Sequence, residues 1–298
     1  MNFRRLLAFF CLLTFFHADL LAQEKIIVCV INSNIPAYEE AIAGFREALI
    51  QENIEFKAIN YNLNNPPPPE IDKADLFFTI GTNATRAISD KIKNIPVVFT
   101  MVTNPQFSAQ NVTGVTMEIP FSDQLVVLSN ISPRPKKIGI IYDPNKTRKY
   151  VEMYIKESHG KGFEILTRQV SSVNEVFRAI RAFRSSIDCL FVIPDPTVYT
   201  IKSIEDILLY SLREGLPVVG ISPGYVKAGA LFSISSNYGQ MGKEAGQIAA
   251  RLLRGEKPSK IPYASPKQFD LSINLIVADR IGITFPDKLI REAKNVYK

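Results

Sequence analysis

The residue types that most often carry catalysis are scarce in this chain of 298 residues. It contains two histidines and three cysteines, which removes most histidine-based metal sites and catalytic triads. Cys29 and Cys189 lie inside apolar runs, where buried and unreactive thiols are expected. No Walker motif and no dinucleotide-binding glycine motif occurs. The sequence therefore predicts no catalytic residue, metal or cofactor, and an enzyme on a two-lobed α/β fold is the less favoured alternative.

Short polar side chains, by contrast, follow several apolar runs of the strand type. Their hydroxyl, amide and carboxyl groups can hold a small polar ligand. Amides after Gly81 can receive an anion and Asp195 an ammonium group. The predicted ligand-binding residues are Thr82, Asn83, Ala84, Thr103, Asn104, Asp195, Thr197, Ser222, Tyr225 and Asn237. Two simpler interpretations stay open, namely that Thr82 and Ser222 are plain helix caps and that Asp195 only forms a turn.

Aromatic side chains occur at the same places. Tyr199, Tyr225 and Tyr238 follow predicted strand ends, and Phe99 lies just before one. Aromatic rings pack well on planar groups, so these residues allow stacking on a flat ligand. Packing in the core is the alternative, and it is favoured for Phe99.

The elements that position these side chains alternate between strands and amphipathic helices. Two such series begin, one at Ile26 and one at Lys137. Strands are predicted at 26–31, 56–61, 75–80, 96–102, 112–117, 137–142, 163–169, 189–193, 217–221, 230–234 and 271–277, with a final helix from Pro286. This alternation requires crossover connections and hence parallel sheets covered by helices. We therefore predict an α/β fold of two Rossmann-like lobes, with the ligand beyond the carboxyl ends of the strands.

The lobe boundaries follow from the same pattern. The first lobe is predicted to comprise residues 23–134 with about 235–256, and the second residues 135–234 with about 257–298. The chain is expected to cross between them near Pro133–Pro135 and again near Ser233–Asn237. Two lobes joined in this way can close on a ligand by hinge motion.

The first 22 residues have the pattern of a secretory signal peptide. Arg4 and Arg5 precede an apolar run from Leu6 to Phe16, and Ala22 supplies a small residue for cleavage. The run is too short to span a bilayer, and Cys11 lies inside it rather than in a lipobox. The net charge of +6 is spread along the chain without a basic block, so nucleic-acid binding is not expected. We predict a periplasmic, monomeric protein.

Several motifs resemble the ABC transporter substrate-binding family that includes bacterial tryptophan-binding lipoproteins. They are Asp75 to Ile88, Ile95 to Pro105, Val112 to Val115, Pro133 to Gly139, Leu216 to Gly220 and Asn237 to Gly242, in that order. The resemblance implies the type 1 periplasmic-binding-protein fold and pocket roles for most of the predicted ligand-binding residues. It also implies that the protein delivers a small polar ligand, amino-acid-like or a related metabolite, to an ABC permease.

This sequence departs from the family pattern at two polar positions. Asn237 stands where the family often has Asp, and Pro196 follows Asp195 where the family often has Asn. The loss of one carboxylate weakens the prediction that an ammonium group is bound as in amino-acid binders. A ligand-sensing subunit for a membrane receptor or histidine kinase is the alternative function, and the sequence does not separate it from transport.

Overall fold

The computed structural model describes residues 24–131 and 136–298. The predicted signal peptide with Cys11 and the predicted crossing at Pro133–Pro135 lie outside the described residues. The described chain forms two lobes, each built on its own, mostly parallel sheet, which confirms the predicted fold class. None of the helices in these two ranges has the length and apolar composition that crossing a membrane requires.

The first lobe contains a five-stranded parallel sheet of order β2-β1-β3-β4-β5. Its strands are β1 (Lys25–Ile31), β2 (Phe56–Asn62), β3 (Leu76–Ile80), β4 (Val97–Val102) and β5 (Val112–Thr116). The middle strands are almost wholly buried, because helices cover both faces of the sheet and favour continuous apolar runs. These helices are α1 (Pro36–Gln51), α2 (Thr82–Ser89) and α8 (Tyr238–Leu253).

The second lobe contains a seven-stranded sheet of order β12-β11-β10-β9-β8-β6-β7. Its strands are β6 (Lys137–Tyr142), β7 (Glu164–Gln169), β8 (Cys189–Phe191), β9 (Val218–Gly220), β10 (Phe232–Ser236), β11 (Phe269–Asn274) and β12 (Asn295–Tyr297). Its helices are α3 (Phe121–Ile131), α4 (Pro144–Ser158), α5 (Val173–Phe183), α6 (Ile201–Arg213), α7 (Pro223–Ala228), α9 (Leu275–Arg280) and α10 (Asp287–Glu292). All neighbouring strands are parallel except β10 and β11.

The first crossing between the lobes comes earlier than the sequence indicates. Helix α3 packs in the core of the second lobe, where Phe121 stacks on Tyr154 of α4 with ring centroids 4.1 Å apart. The described residues therefore place a crossing between the lobes at residues 117–120, before the predicted one near Pro133–Pro135. The second crossing runs from β10 into α8, and Ser236 Oγ donates to the carbonyl of Met117 at 3.1 Å. A third crossing follows Ala264, which still pairs with Val115 of the first sheet.

The C-terminal segment also differs from the prediction. A strand is predicted over 271–277, but β11 ends at Asn274 and α9 begins at the next residue. The Asn274 side chain accepts a hydrogen bond from the amide of Val277 and caps this helix. The short strand β12 after α10 is missing from the sequence prediction, because three residues carry too little pattern to be recognised.

Helices α1 and α8 of the first lobe meet at glycines. A Cβ atom added at Gly242 would lie 1.9 Å from the carbonyl oxygen of Ala41, and one at Gly44 would lie 1.9 Å from the carbonyl oxygen of Gly239. Side chains at these positions would therefore separate the two helices. The close contact fixes the start of α8, and Tyr238 there and Glu40 of α1 both face the space between the lobes.

Candidate functional site in the cleft between the lobes

A cavity of about 450 Å³ lies between the lobes, and residues of both line it. The first lobe and the first crossing contribute Glu40, Thr103, Met117, Glu118, Ile119 and Tyr238. The larger share comes from the second lobe, with Gln124, Tyr150, Met153, Tyr154, Phe191, Val192, Pro194, Ile221, Ser222, Pro223, Ile234, Ser235, Ser236, Asp270, Lys294 and Asn295. This volume lies within the range of small-molecule sites.

One wall of the cavity is aromatic and belongs to the second lobe. Tyr150, Met153 and Tyr154 come from one face of α4, since residues three and four apart share a helix face. Tyr154 packs on Phe121, and the Phe191 ring meets Phe121 edge to face at 5.1 Å. Burial raises the pKa of Tyr154 to about 12, so its hydroxyl stays protonated at neutral pH. This wall suits an apolar or aromatic ligand body.

A polar group on β11 closes another side of the cavity. Asp270 accepts hydrogen bonds from Asn237 Nδ2 at 2.8 Å and from Lys294 Nζ at 2.6 Å. The hydrogen bond from the Lys294 ammonium to Asp270 raises the pKa of Lys294. The Asn237 side-chain oxygen accepts from the amide of Gln240 and caps α8. Asn237 thus acts as a helix cap and as a link to Asp270 across the second crossing.

Two of the predicted ligand-binding residues line the cavity, Thr103 and Ser222. Ser222 precedes α7 and makes no side-chain capping bond, so its hydroxyl is available in the cavity. Sequence reasoning misses that Gly220, Ser222 and Gly224 form a Gly-x-Ser-x-Gly pattern, which marks the nucleophile in many hydrolases. Here Ser222 has an ordinary extended backbone with φ of −157°, and its hydroxyl has no hydrogen bond to any basic group of the described residues. The geometry therefore fits ligand binding and not nucleophilic attack.

The predicted residues Thr82, Asn83 and Ala84 form the first turn of α2. Gly81 before them has a positive φ of 83° and supplies no side-chain cap, which leaves the first amides of the helix open to an acceptor. Thr82 is half-buried and Asn83 exposed, whereas Ala84 packs in the core of the lobe. In this conformation none of the three lines the cavity.

Asp195 and Thr197 belong to a hydrogen-bonded network inside the second lobe. Asp195 is 2% exposed, and its carboxylate accepts hydrogen bonds from the amides of Asp143, Thr197 and Val198 and from the hydroxyl of Thr147. The Thr197 hydroxyl donates to the Asp143 carboxylate at 2.8 Å. Both side chains are thus engaged by neighbours, and together they attach the N-terminus of α4 to the loop after β8.

Four further residues from the sequence prediction have mixed positions. Asn104 is exposed with a positive φ of 44°, and its amide donates to the Glu118 carboxylate. Tyr225 is half-buried and packs against the core of the second lobe. Tyr199 packs in that lobe as well and donates to the carbonyl of Ile141 at 3.3 Å. Tyr238 lines the cavity, in agreement with its predicted place near the cleft.

Sequence reasoning misses Glu118, Tyr150, Tyr154 and Lys294. The strand before Glu118 has an irregular sequence pattern, and Glu118 does not begin a helix. It therefore lacks the strand-end pattern that identified the other candidate residues. The pair Tyr150 and Tyr154, four residues apart, is a signal for one helix face, but it equally fits a face packed on the core.

No metal site can be assembled from the described residues. Within residues 24–131 and 136–298 no group of three or more His, Cys, Asp or Glu side chains lies close enough to hold an ion. Cys29 and Cys189 are buried and unpaired, and burial raises the pKa of Cys29 to about 12. These thiols are protonated at neutral pH and are poor nucleophiles.

Comparison with known proteins relates the whole described chain to one family. Residues 25–297 match the family described as ABC transporter substrate binding protein. The tyrosine-binding protein of Clostridioides difficile strain R20291 is 25% identical over 262 residues, which cover 80% of this chain and 75% of that protein.

Solved structures show the same architecture. The ligand-free, open structure of a substrate-binding protein with adhesive properties from Clostridium difficile has a TM-score of 0.73 and 25% identity, covering 92% of this chain and 99% of that one. An ABC domain from Streptococcus pneumonia in complex with L-Trp has a TM-score of 0.56 and 22% identity, with the same coverage. The second likeness concerns the fold alone.

Proposed function

Because this chain belongs to the family of ABC transporter substrate-binding proteins, we propose that it is the exported solute-binding component of an ABC importer. It closes its lobes on a small amino-acid-like ligand and presents the closed form to the permease. The observation that carries this proposal is the cavity of about 450 Å³, lined by both lobes and combining an aromatic wall with carboxylates and hydroxyls. The tyrosine-binding relative supports an amino acid as the first ligand to test.

Several of the predicted ligand-binding residues fit this proposal, in three groups. Thr103 and Ser222 already line the cavity. The open amides at the start of α2, near Thr82, lie at the carboxyl end of β3 and come into reach when the lobes close. Asp195 and Thr197 contribute by holding α4, whose tyrosines form the aromatic wall.

Ligand binding is tested with the purified mature chain. Native mass spectrometry first shows whether a small molecule is retained, and a thermal-shift screen of amino acids, nucleosides and sugars then identifies stabilising compounds. We expect stabilisation by aromatic amino acids, and small-angle scattering should show a smaller radius of gyration with ligand. A protein that no screened compound stabilises or compacts contradicts the proposal.

A matched pair of variants locates the binding. Ser222→Phe fills the cavity without breaking a side-chain hydrogen bond, so it should abolish the thermal shift while the free protein stays folded. Ser108→Phe places the same ring on an exposed loop of the first lobe and should bind ligand like the wild type. Equal binding by both variants would place the ligand elsewhere.

Delivery is tested in the cell. Deleting the gene should reduce uptake of the ligand found by mass spectrometry, and re-expression of the full chain with its signal peptide should restore it. Normal uptake combined with a changed transcriptional response to the ligand would favour the sensing alternative instead.

A further inference from the structure

Glu118 occupies a position in the cleft that the predicted site does not account for. It lies on the first crossing between β5 and α3 and lines the cavity. One of its carboxylate oxygens accepts a hydrogen bond from the amide of Asn104, in the turn after β4. This bond orients the carboxylate, while its other oxygen makes no hydrogen bond to any of the described residues.

The charge of Glu118 is not balanced by the protein. No Lys or Arg in the described parts of the chain forms an ion pair with it, whereas Asp270 in the same cavity is paired with Lys294. The cavity lining carries three carboxylates, on Glu40, Glu118 and Asp270, and one ammonium group, on Lys294. The Lys294 ammonium group is already used by Asp270, so the cleft has an excess of negative charge that attracts a cation.

Glu118 also faces the aromatic wall. Burial raises the pKa of Tyr150, and the nearby negative charge of Glu118 raises it further. The same charge contributes to the raised pKa of Tyr154. A cation bound at Glu118 therefore lies beside aromatic rings, whose faces attract positive charge, and an apolar body attached to that cation has Met153 and Phe191 within the same cavity.

We propose that Glu118 binds the ammonium group of the ligand and that the cleft selects primary amines with an apolar or aromatic body. The inference rests on the proposed function and adds to it the chemical group that is recognised. The ammonium group donates to the free Glu118 oxygen, and the ligand body packs against Tyr150 and Tyr154. The ligand carboxylate contributes less, through the open amides at the start of α2, because Lys294 is paired with Asp270.

The experiment compares three probes by isothermal titration calorimetry. L-tyrosine carries both charged groups, tyramine only the amine, and 3-(4-hydroxyphenyl)propionate only the carboxylate. With the wild-type protein, we expect tyramine to bind within about tenfold of L-tyrosine and the propionate not to bind measurably. Equal or tighter binding of the propionate overturns the inference without any variant.

Glu118→Gln tests the residue itself. The glutamine oxygen still accepts from Asn104, so the loop is retained while the charge is lost. We expect affinity for L-tyrosine and tyramine to fall about 10- to 100-fold, as for the loss of a charge-assisted hydrogen bond. The control Glu39→Gln removes an exposed carboxylate of α1 that does not line the cavity and should change affinity less than about threefold.

The outcomes separate the two proposals. If Glu118→Gln binds L-tyrosine as tightly as the wild type does, the role of Glu118 is wrong and solute binding stands. If the wild-type protein binds neither amine but is stabilised by a screened compound without an ammonium group, amine selection is wrong and solute binding again stands. If it binds nothing in either experiment, both are wrong.

Discussion

The two lobes hold their sides of the cleft by different physical means. In the first lobe, α1 and α8 meet through backbone contacts at Gly44 and Gly242, and this contact places Glu40 and Tyr238 at the cavity. In the second lobe, α4 is attached by the buried carboxylates of Asp143 and Asp195. The first arrangement depends mainly on shape, with an exposed ion pair between Lys243 and Glu47 beside the glycines, and the second depends on hydrogen bonds to buried charged groups.

This difference predicts different sensitivities. A close helix contact tolerates no added volume. The glycine contacts themselves contain no titrating group, and the ion pairs beside them, Lys243 with Glu47 and Arg254 with Glu52, are exposed and contribute little. A carboxylate network tolerates small changes in shape but fails when an acceptor is lost or protonated. The effects of mutations and of pH on the stability of the protein should therefore differ between the two lobes.

The largest effect is expected for Asp195→Ala. The variant leaves buried donors without their acceptor, those on Asp143, Thr147, Thr197 and Val198. Loss of this acceptor should lower the free energy of unfolding by about 2–4 kcal/mol, measured by urea denaturation. The control Glu118→Gln, a cleft carboxylate with one protein donor, should change it by less than about 1 kcal/mol.

The opposite result for Asp195→Ala is informative. If the variant keeps its stability but loses ligand binding, Asp195 contacts the ligand directly, as the sequence predicts. The claim that hydrogen bonds to buried carboxylates hold α4 in the second lobe would then be wrong.

A smaller effect is expected for Gly242→Ala. The added methyl group meets the carbonyl of Ala41 at 1.9 Å, so the helices must separate, at a cost of about 1–3 kcal/mol. The matched control on the same helix is Gly239→Ala, whose Cβ would have 3.6 Å to its nearest neighbour. Its stability should differ from the wild type by less than about 1 kcal/mol, and equal losses in both variants would refute the packing argument.

The fold was predictable because its signal is repeated along the chain. The buried strands β1, β3 and β6 are continuous apolar runs, and α5 keeps Val176, Ile180 and others on one face. The crossing before α3 was not predictable in the same way. The apolar face of α3 indicates that the helix packs on a sheet, but not on which of the two sheets. The sheet on which α3 packs is determined by contacts between segments that are distant in the chain, and such contacts cannot be read from a single sequence.

The candidate site was less predictable than the fold. The strand ends predicted a site at this edge of the sheets, and two of the ten predicted residues, Thr103 and Ser222, line the cavity there. Their contact with a ligand stays a prediction. The roles of the carboxylates could not be predicted in this way. Asp195 comes directly after a strand, and that position is the same whether its side chain binds a ligand or accepts hydrogen bonds from four donors inside the lobe. Glu118 could not be predicted as a cleft residue, because it faces the cleft only as a result of where the chain crosses between the lobes.

The smallest effect concerns Thr197→Val and its pH dependence. The amide of Asn145 and the hydroxyl of Thr197 donate to the Asp143 carboxylate and hold its pKa below the usual value. The ionised form is thus favoured in the folded protein. Its contribution to stability is complete above the usual carboxylate pKa of about 3.9 and is lost as the pH falls through the lower folded value.

Thr197→Val removes one donor, so the folded pKa of Asp143 moves toward its usual value. The variant should be less stable than the wild type at pH 7. The difference should begin to shrink below about pH 4 and disappear as the pH falls through the lower folded pKa of Asp143 in the wild type. The deficit of Gly242→Ala should change much less over the same range, because its cause is steric and the ion pairs beside the glycines are exposed. Urea denaturation of the three proteins between pH 7 and about pH 3 measures this contrast, and parallel profiles would show that Asp143 does not couple the second lobe to pH.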